Sequence, residues 1–417
     1  MDNKRLLVFS DCYIYGGSEK LMAFLLKNEM LKTNYKLLFA YRKHKLYEEG
    51  LLNEGLLGGA NNYGLPLLAN ETLFYRINAL SLPAIIKAGL KVPFFIIEKL
   101  KIYTMWNFIV FFFFLLKIKP EIIHINNGGY PGAKSCNILV AANSITAKAK
   151  IVYQVNNQAR KVKRYFDSRF DMFVQKHVSF FINASNKAKE QLVIQRKFNE
   201  EKILIVNNCV PLVPLKRSRK QICIDLGIPE DNFILTQVGF LSDRKGQQYL
   251  IKALKLLLDR HSLLQDKLSL LLIGNGENEN ILKELISDLG LSNNIFLLGY
   301  RTDSEDFIAA ADVFVLPSIS DEDMPLVLLS ALGEGKPILA TSFAGISQVI
   351  DSGNNGILIS PDVNQLSETL AAKIHELIND DGLRHKLSAN AKLSYKEYTP
   401  VNYGIRLNEI YKSLDAN

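Results

Sequence analysis

The stretch ADVFVLPSISDEDMPLVLLSALGEGKPILAT, residues 311–341, decides the fold. It reads as a buried strand (Val313 to Leu316), a Pro-Ser turn, an acidic loop, a helix, and a second buried strand (Pro337 to Ala340). That is one strand–helix–strand unit with its polar loop at the carboxyl end of a strand, the end where open α/β sheets hold their ligands. The loop brings Glu322 and the backbone N–H groups of Asp323 and Met324 to a helix start, which favours phosphate.

Working outward, short runs of Val, Ile and Leu alternate with helical stretches along almost the whole chain. Strands are expected at Leu6–Ser10, Lys36–Ala40, Ile122–Ile125, Ile151–Val155, Phe180–Asn183 and Ile203–Val206. After PLVPLKRSRK (211–220), which reads as an interdomain linker, they resume at Phe233–Gly239, Leu268–Ile273, Ile295–Leu298, Val313–Leu316, Ile338–Thr341 and Ile357–Ile359. Continuous apolar strands separated by helices indicate parallel sheets covered on both faces. The expectation is α/β: two Rossmann-like domains facing across a cleft, at 1–210 and 221–399, with a helix at about 400–417 packing back on the first. Residues 42–100 fit this pattern worst.

A chain of 417 residues is long enough for two domains. Its +8 net charge leaves nucleic acid, anionic membrane and phosphorylated substrate open as partners. The four cysteines form no CxxC pair, so neither a zinc site nor a disulfide scaffold is indicated. The chain starts at MDNKRLLVFSD with a strand-like run and no signal-peptide pattern, and a reducing cytoplasm is expected. Ile102 to Leu116 carries no charge but falls short of the roughly 20 residues of a span. It reads as a buried crossover helix leading into EIIHIN, with a helix dipping into the membrane interface as the alternative. A span is disfavoured because a strand must follow at once.

Several loops invite ligands. In YGGSEK (15–20), Gly16 and Gly17 allow close backbone approach at a helix start. VGFLSDRKGQQYLIKAL (238–254) offers Arg244 and Lys245 between a strand and a helix, and the lysine suits a diphosphate. LLLIGNGENEN (270–280) has Gly274 and Gly276 but Glu279 in place of a third glycine, a weak sign of NAD. Asp321-Glu322-Asp323 read literally is a DxD metal motif, yet no second acidic cluster has ligand spacing. His44, His177, His261, His375 and His385 read as surface residues. RKVKR (160–164) follows a strand end and could face an acidic acceptor or lipid head group. No GxSxG, Walker or HExxH motif is present.

Taken in order, these pieces resemble the family 4 retaining glycosyltransferases of the GT-B fold, the glycosyl transferases group 1. GGSE, KPEIIHIN, KILIVNNCVP, VGFLSDRKG, LLLIGNGE, FLLGY, ADVFVLPS, EDMPLVLLSALGEGKPILAT and FAGISQVIDSGNNGILI all fall where that family has its motifs. The resemblance implies a sugar moved from a nucleoside diphosphate sugar of UDP or GDP type to a glycan or lipid-linked acceptor. It implies polysaccharide biosynthesis at the inner face of the cell membrane, with no cofactor, no metal and no nucleic-acid partner. In that reading Lys245 neutralises the diphosphate, Glu322 holds donor hydroxyls, and Asn156 stands where the family commonly has histidine. Gly16, Gly17, Arg244, Gly274, Gly276, Tyr300, Asp323, Met324, Pro325 and Ser330 would bind the donor. Phe240 replaces a common arginine, Ser330 a common glutamate, and Asn208-Cys209-Val210-Pro211 lacks the usual glycine and aspartate of its turn. These departures keep two further readings open: a non-catalytic partner subunit, or an epimerase or phosphorylase of the same fold.

Overall fold

The computed structural model describes residues 3–13, 15–162, 165–320 and 322–414, without the side chains of residues 72 and 165–167. The chain divides into two compact units, Met1–Val206 with Pro400–Asn417, and Asn207–Thr399. Residues 207–210 belong to the second unit through short bonds: Val210 N–H to the Tyr398 carbonyl at 3.1 Å, and Tyr395 O–H to the Val210 carbonyl at 2.7 Å.

The first unit contains β1 (Lys4–Ser10), β2 (Tyr35–Arg42), β3 (Asn62–Leu65), β4 (Ile122–Asn127), β5 (Lys150–Val155), β6 (Phe180–Asn183) and β7 (Ile203–Ile205). Their order is β3-β2-β1-β4-β5-β6-β7, and every pairing is parallel. Leu6 through Phe9 are fully buried because helices cover both sheet faces. Leu7, Phe9, Ile123, Ile125, Ile151 and Tyr153 form one core layer with Phe111 and Leu115 of the helix Ile102–Ile118. β3 went unforeseen: it is four residues long, at a sheet edge, and contains Asn62 and Gly64, poor strand formers.

The second unit contains β8 (Phe233–Val238), β9 (Leu268–Ile273), β10 (Ile295–Leu297), β11 (Val313–Leu316), β12 (Ile338–Thr341) and β13 (Ile357–Ile359), in the order β10-β9-β8-β11-β12-β13, again parallel. Leu235, Leu270, Val313, Val315 and Leu339 pack on Leu250, Leu254, Leu370 and Ile374 of the covering helices.

Each sheet has one point where the strand order reverses, between β1 and β4 and between β8 and β11. Those are the places where a doubly wound sheet opens to a ligand.

The C-terminal helix Pro400–Ser413 belongs to the first unit and is fixed by buried polar bonds. Tyr411 O–H donates to His124 Nδ1 at 2.8 Å, and Tyr403 O–H donates to Gln154 Oε1 at 2.9 Å. Gly404 is needed at the contact: a Cβ there would lie 2.2 Å from the Asn28 amide.

Candidate functional site

In the second unit, β8 and β11 lie side by side, so the loops after them meet. Gly246 makes the meeting close. Its φ of +71° is one that side chains rarely adopt, and a Cβ would strike the Pro317 carbonyl at 2.0 Å. Ile319 N–H donates to the Arg244 carbonyl at 2.8 Å. The turn Asp243–Lys245 is thereby zipped to residues 317–319.

This contact buries Lys245 beside Glu322, whose Oε2 accepts from Lys245 Nζ. Ser318 O–H donates to the same oxygen at 3.2 Å, and the Arg244 guanidinium stands 3.6 Å from it. Among the described residues, two cations therefore stand within reach of one carboxylate oxygen at the carboxyl end of the sheet. The loop 322–325 is held from outside. Asn208 donates to the Met324 carbonyl at 2.8 Å, and a Cβ at Gly345 would meet the Asp323 carbonyl at 2.6 Å. Asp323, Met324 and Ser330 are buried, and Pro325 caps the helix Leu326–Gly333.

Gly274 and Gly276 have a packing role. A Cβ at Gly274 would lie 1.9 Å from the Gly239 carbonyl, and one at Gly276 would lie 2.3 Å from that of Leu241. They press the loop after β9 onto the loop carrying Lys245. Gly274 N–H also donates to the Gly299 carbonyl at 2.8 Å, tying in the loop of Tyr300. Tyr300 is exposed, while Arg301 is engaged by Asp303 at 2.9 Å. Phe240, at the position of the expected arginine, is 53% exposed and presents its ring to solvent.

In the first unit the chemistry is mostly neutral. Asn156, at the end of β5, is held on three sides: it donates to Asn126 Oδ1 at 2.8 Å and to the Asn127 carbonyl at 3.1 Å, and accepts from Gln154 Nε2 at 2.8 Å. His124 extends this network inward. Burial lowers its pKa to about 4, so the ring is neutral, and its partners fix the tautomer: Nδ1 accepts from Tyr411, and Nε2–H donates to Gln154 at 2.9 Å. Donors thus run one way, from Tyr411 through His124, Gln154 and Asn156 to Asn126, which donates to the Ser18 carbonyl at 3.2 Å. The role of His124 was not foreseen. The one cue was a histidine inside the apolar strand run EIIHIN.

The glycines of YGGSEK differ from each other. Gly16 N–H is taken by the Glu19 carboxylate at 3.1 Å, in a capping arrangement. Gly17 is exposed, with nothing within 4 Å of the position of a Cβ. Burial pushes the Glu19 carboxyl up. Nearby, Arg42 and Asp11 form a buried pair at 2.6 Å.

Some expectations are corrected. His44 is buried rather than on the surface, packed between the rings of Tyr13 and Tyr75 at 6.1 and 5.4 Å, and burial lowers its pKa. The helix Ile102–Ile118 is only half a buried crossover helix, since one side is exposed. Asp321 of the DED reading, and Lys163 and Arg164 of the basic run, lie outside the described residues. Among the described residues, no group of three His, Cys, Asp or Glu has the geometry to hold a metal ion.

Two doubly wound parallel sheets, each opening at a strand reversal, define a GT-B architecture. A UDP-bound Anabaena protein, Alr3699/HepE, superposes on 98% of this chain and 100% of its own with a TM-score of 0.73, at 19% identity. Residues 218–394, most of the second unit, match the family model described as glycosyl transferases group 1. The UDP-Gal:alpha-D-GlcNAc-diphosphoundecaprenol alpha-1,3-galactosyltransferase of Escherichia coli is 25% identical over 303 residues, 70% of this chain and 74% of that one. The lipopolysaccharide core biosynthesis glycosyltransferase LpsE of Rhizobium meliloti is 31% identical over 163 residues, 39% of this chain and 44% of that one. Apart from the galactosyltransferase, the chain spans about half the length of the curated relatives it matches.

Proposed function

We propose that this chain is a metal-independent retaining glycosyltransferase of family 4 that moves a sugar from a nucleoside diphosphate sugar to a glycan or lipid-linked acceptor at the inner face of the cell membrane. The observation that carries the reading is the buried Lys245–Glu322 pair, with Arg244 beside it, at the strand reversal of the second unit. When the donor enters, Lys245 exchanges its carboxylate partner for the diphosphate. That frees Glu322 to accept hydrogen bonds from the sugar hydroxyls. As the bond from the anomeric carbon to the phosphate oxygen breaks, charge gathers on the leaving diphosphate. Lys245, Arg244 and the N–H groups of Asp323 and Met324 face that charge, the kind of preorganised stabilisation that is usually the largest catalytic contribution.

A uridine donor is favoured: the Anabaena neighbour is bound to UDP and the Escherichia coli relative uses UDP-Gal. Gly274 and Gly276 serve by shaping the loop, Tyr300 offers an exposed ring for a base, and Ser330 replaces a carboxylate near the ribose with a hydroxyl. In the first unit, Gly17 N–H offers a neutral donor to a sugar hydroxyl, and Asn156, whose N–H groups are spent on Asn126 and Asn127, offers its Oδ1 as an acceptor.

The test is transfer from labelled UDP- and GDP-sugars to a lipid diphosphate acceptor, with the product's anomeric configuration read by NMR. Transfer with retention supports the reading, and inversion contradicts it. No transfer with any donor, together with a stable complex with a second protein, would favour the non-catalytic partner reading. The exposed Phe240 ring and the buried Ser330, where the family commonly carries charge, motivate that alternative.

A further inference from the structure

The helix Ile102–Ile118 has two apolar faces, whereas a helix covering a sheet needs one. Tyr103, Asn107, Phe111 and Leu115, spaced four apart, are buried, with Phe111 edge-on to Phe9 at 5.2 Å. On the other side Met105 and Phe113 are 64% and 65% exposed, and Ile109 and Leu116 are exposed with them. The preceding helix, Ala84–Lys99, buries none of its residues, and Ile85 is 86% exposed. The two helices bend by 61° at an elbow where Lys101 has φ +63°. A contiguous apolar surface of this kind marks an interaction site.

Its charge identifies the partner. Residues 84–119 contain six lysines (87, 91, 99, 101, 117 and 119) and a single acid, Glu98. That acid is taken up by Lys134 and Asn70. Lys99, Lys101, Lys117 and Lys119 are exposed at the helix ends, where long basic side chains reach lipid phosphates while the apolar ridge between them sinks. Pairing with a second copy through the same face would set these lysines against their own kind. Among the described residues no single helix is long and apolar enough to cross a membrane; the bent pair is long and apolar enough only when both helices are taken together. The packing of Phe111 and Leu115 of the second helix into the core of the first unit favours a helix lying on the bilayer over one crossing it.

We propose that the elbow 84–118 lies in the headgroup layer of an anionic bilayer, with its exposed apolar ridge at the acyl boundary. The elbow is anchored beside the carboxyl ends of the first unit's strands. Trp106 Nε1–H donates to the Pro66 carbonyl at 2.8 Å, just after β3, and Lys134, which pairs with Glu98, opens the helix after β4. The bilayer therefore meets the edge of the sheet where Asn126 and Asn156 sit. This deepens the lipid-linked acceptor part of the proposed function, but its test needs no transferase activity.

The experiment is flotation of the whole chain with phosphatidylcholine vesicles, with and without phosphatidylglycerol. The chain is expected to float with the anionic vesicles only, and less so in high salt. The triple variant Ile85→Ser, Met105→Ser, Phe113→Ser should lower partition by about tenfold or more. Its circular dichroism and its thermal unfolding should stay unchanged. Equal flotation with both vesicle types, or full flotation of the triple variant, would overturn the proposal. So would a dimer that floats with no vesicle and that the triple variant converts to monomer. A chain that floats but transfers no sugar refutes the proposed function and leaves the anchor standing.

Discussion

The two strand reversals of this molecule share a topology and differ in chemistry. At the ends of β8 and β11, Lys245 and Arg244 crowd one carboxylate, Glu322. At the ends of β1, β4 and β5, amides pass hydrogen bonds to one another, the Asp11–Arg42 pair neutralises itself, and the buried Glu19 carboxyl caps a helix. The fold therefore supplies two ligand-facing edges, and side chains assign them. The second unit presents a lysine and an arginine around one carboxylate, the arrangement proposed above to receive a diphosphate. The first presents directional neutral donors and acceptors suited to sugar hydroxyls, which discriminate by geometry rather than charge.

The sharpest way to break this comparison is to remove the charge from one edge and the amide from the other. Lys245→Ala should lower turnover on the order of 10²–10³-fold, the scale of losing one preorganised charge-stabilising donor. Because the variant also removes the lysine bonded to the buried Glu322 carboxylate, Lys245→Ala with Glu322→Gln is the control for folding. An unchanged kcat in Lys245→Ala would erase the proposed difference between the edges.

The next largest effect is a pH dependence expected of the first unit. His124 is held neutral with a pKa of about 4, below its ordinary 6.5. The unfolded chain therefore binds the proton first as pH falls. The stabilisation is complete above pH 6.5 and is lost as pH drops toward 4, by roughly 3 kcal/mol at about 1.4 kcal/mol per pH unit. Chemical denaturation across that window should show the slope, and His124→Gln should flatten it.

Gly246→Ala tests the zipper of the second unit. With a Cβ 2.0 Å from the Pro317 carbonyl, destabilisation of about 1–3 kcal/mol is expected, with donor affinity falling alongside. Gly17→Ala, with open space at the same atom, should change stability by well under about 1 kcal/mol.

The smallest effect on turnover is expected at Asn156. Asn156→Ala deletes neutral hydrogen bonds worth about 1 kcal/mol each and should cost about tenfold, mainly in the KM for acceptor. A loss as large as that of Lys245→Ala would show that the amide edge carries the chemistry as heavily as the charged one.

Much of this was legible in sequence for a physical reason. A parallel strand buried on both faces must be a continuous apolar run, so β1 and β11 declare themselves, whereas β3 (Asn-Tyr-Gly-Leu at an edge) does not. The loops of Lys245 and Glu322 were visible as polar breaks after such runs, but their mutual contact depends on Gly246 lying against Pro317. The Asn156 network was not legible at all: its inner support, His124–Tyr411, joins residues 287 apart. The burial of His44 likewise comes from Tyr13 and Tyr75, which no local pattern connects to it.

The measurement that bears most directly on the central claim is thermal unfolding of the wild type and of Lys245→Ala in the presence of UDP, GDP, ADP, TDP and their common sugars. A ligand that binds only the folded state raises the melting temperature by mass action. The account predicts that a nucleoside diphosphate sugar, a uridine one ahead of a guanosine one, stabilises the wild type and fails to stabilise the variant. Equal stabilisation of both, or none of either at millimolar ligand, would contradict it.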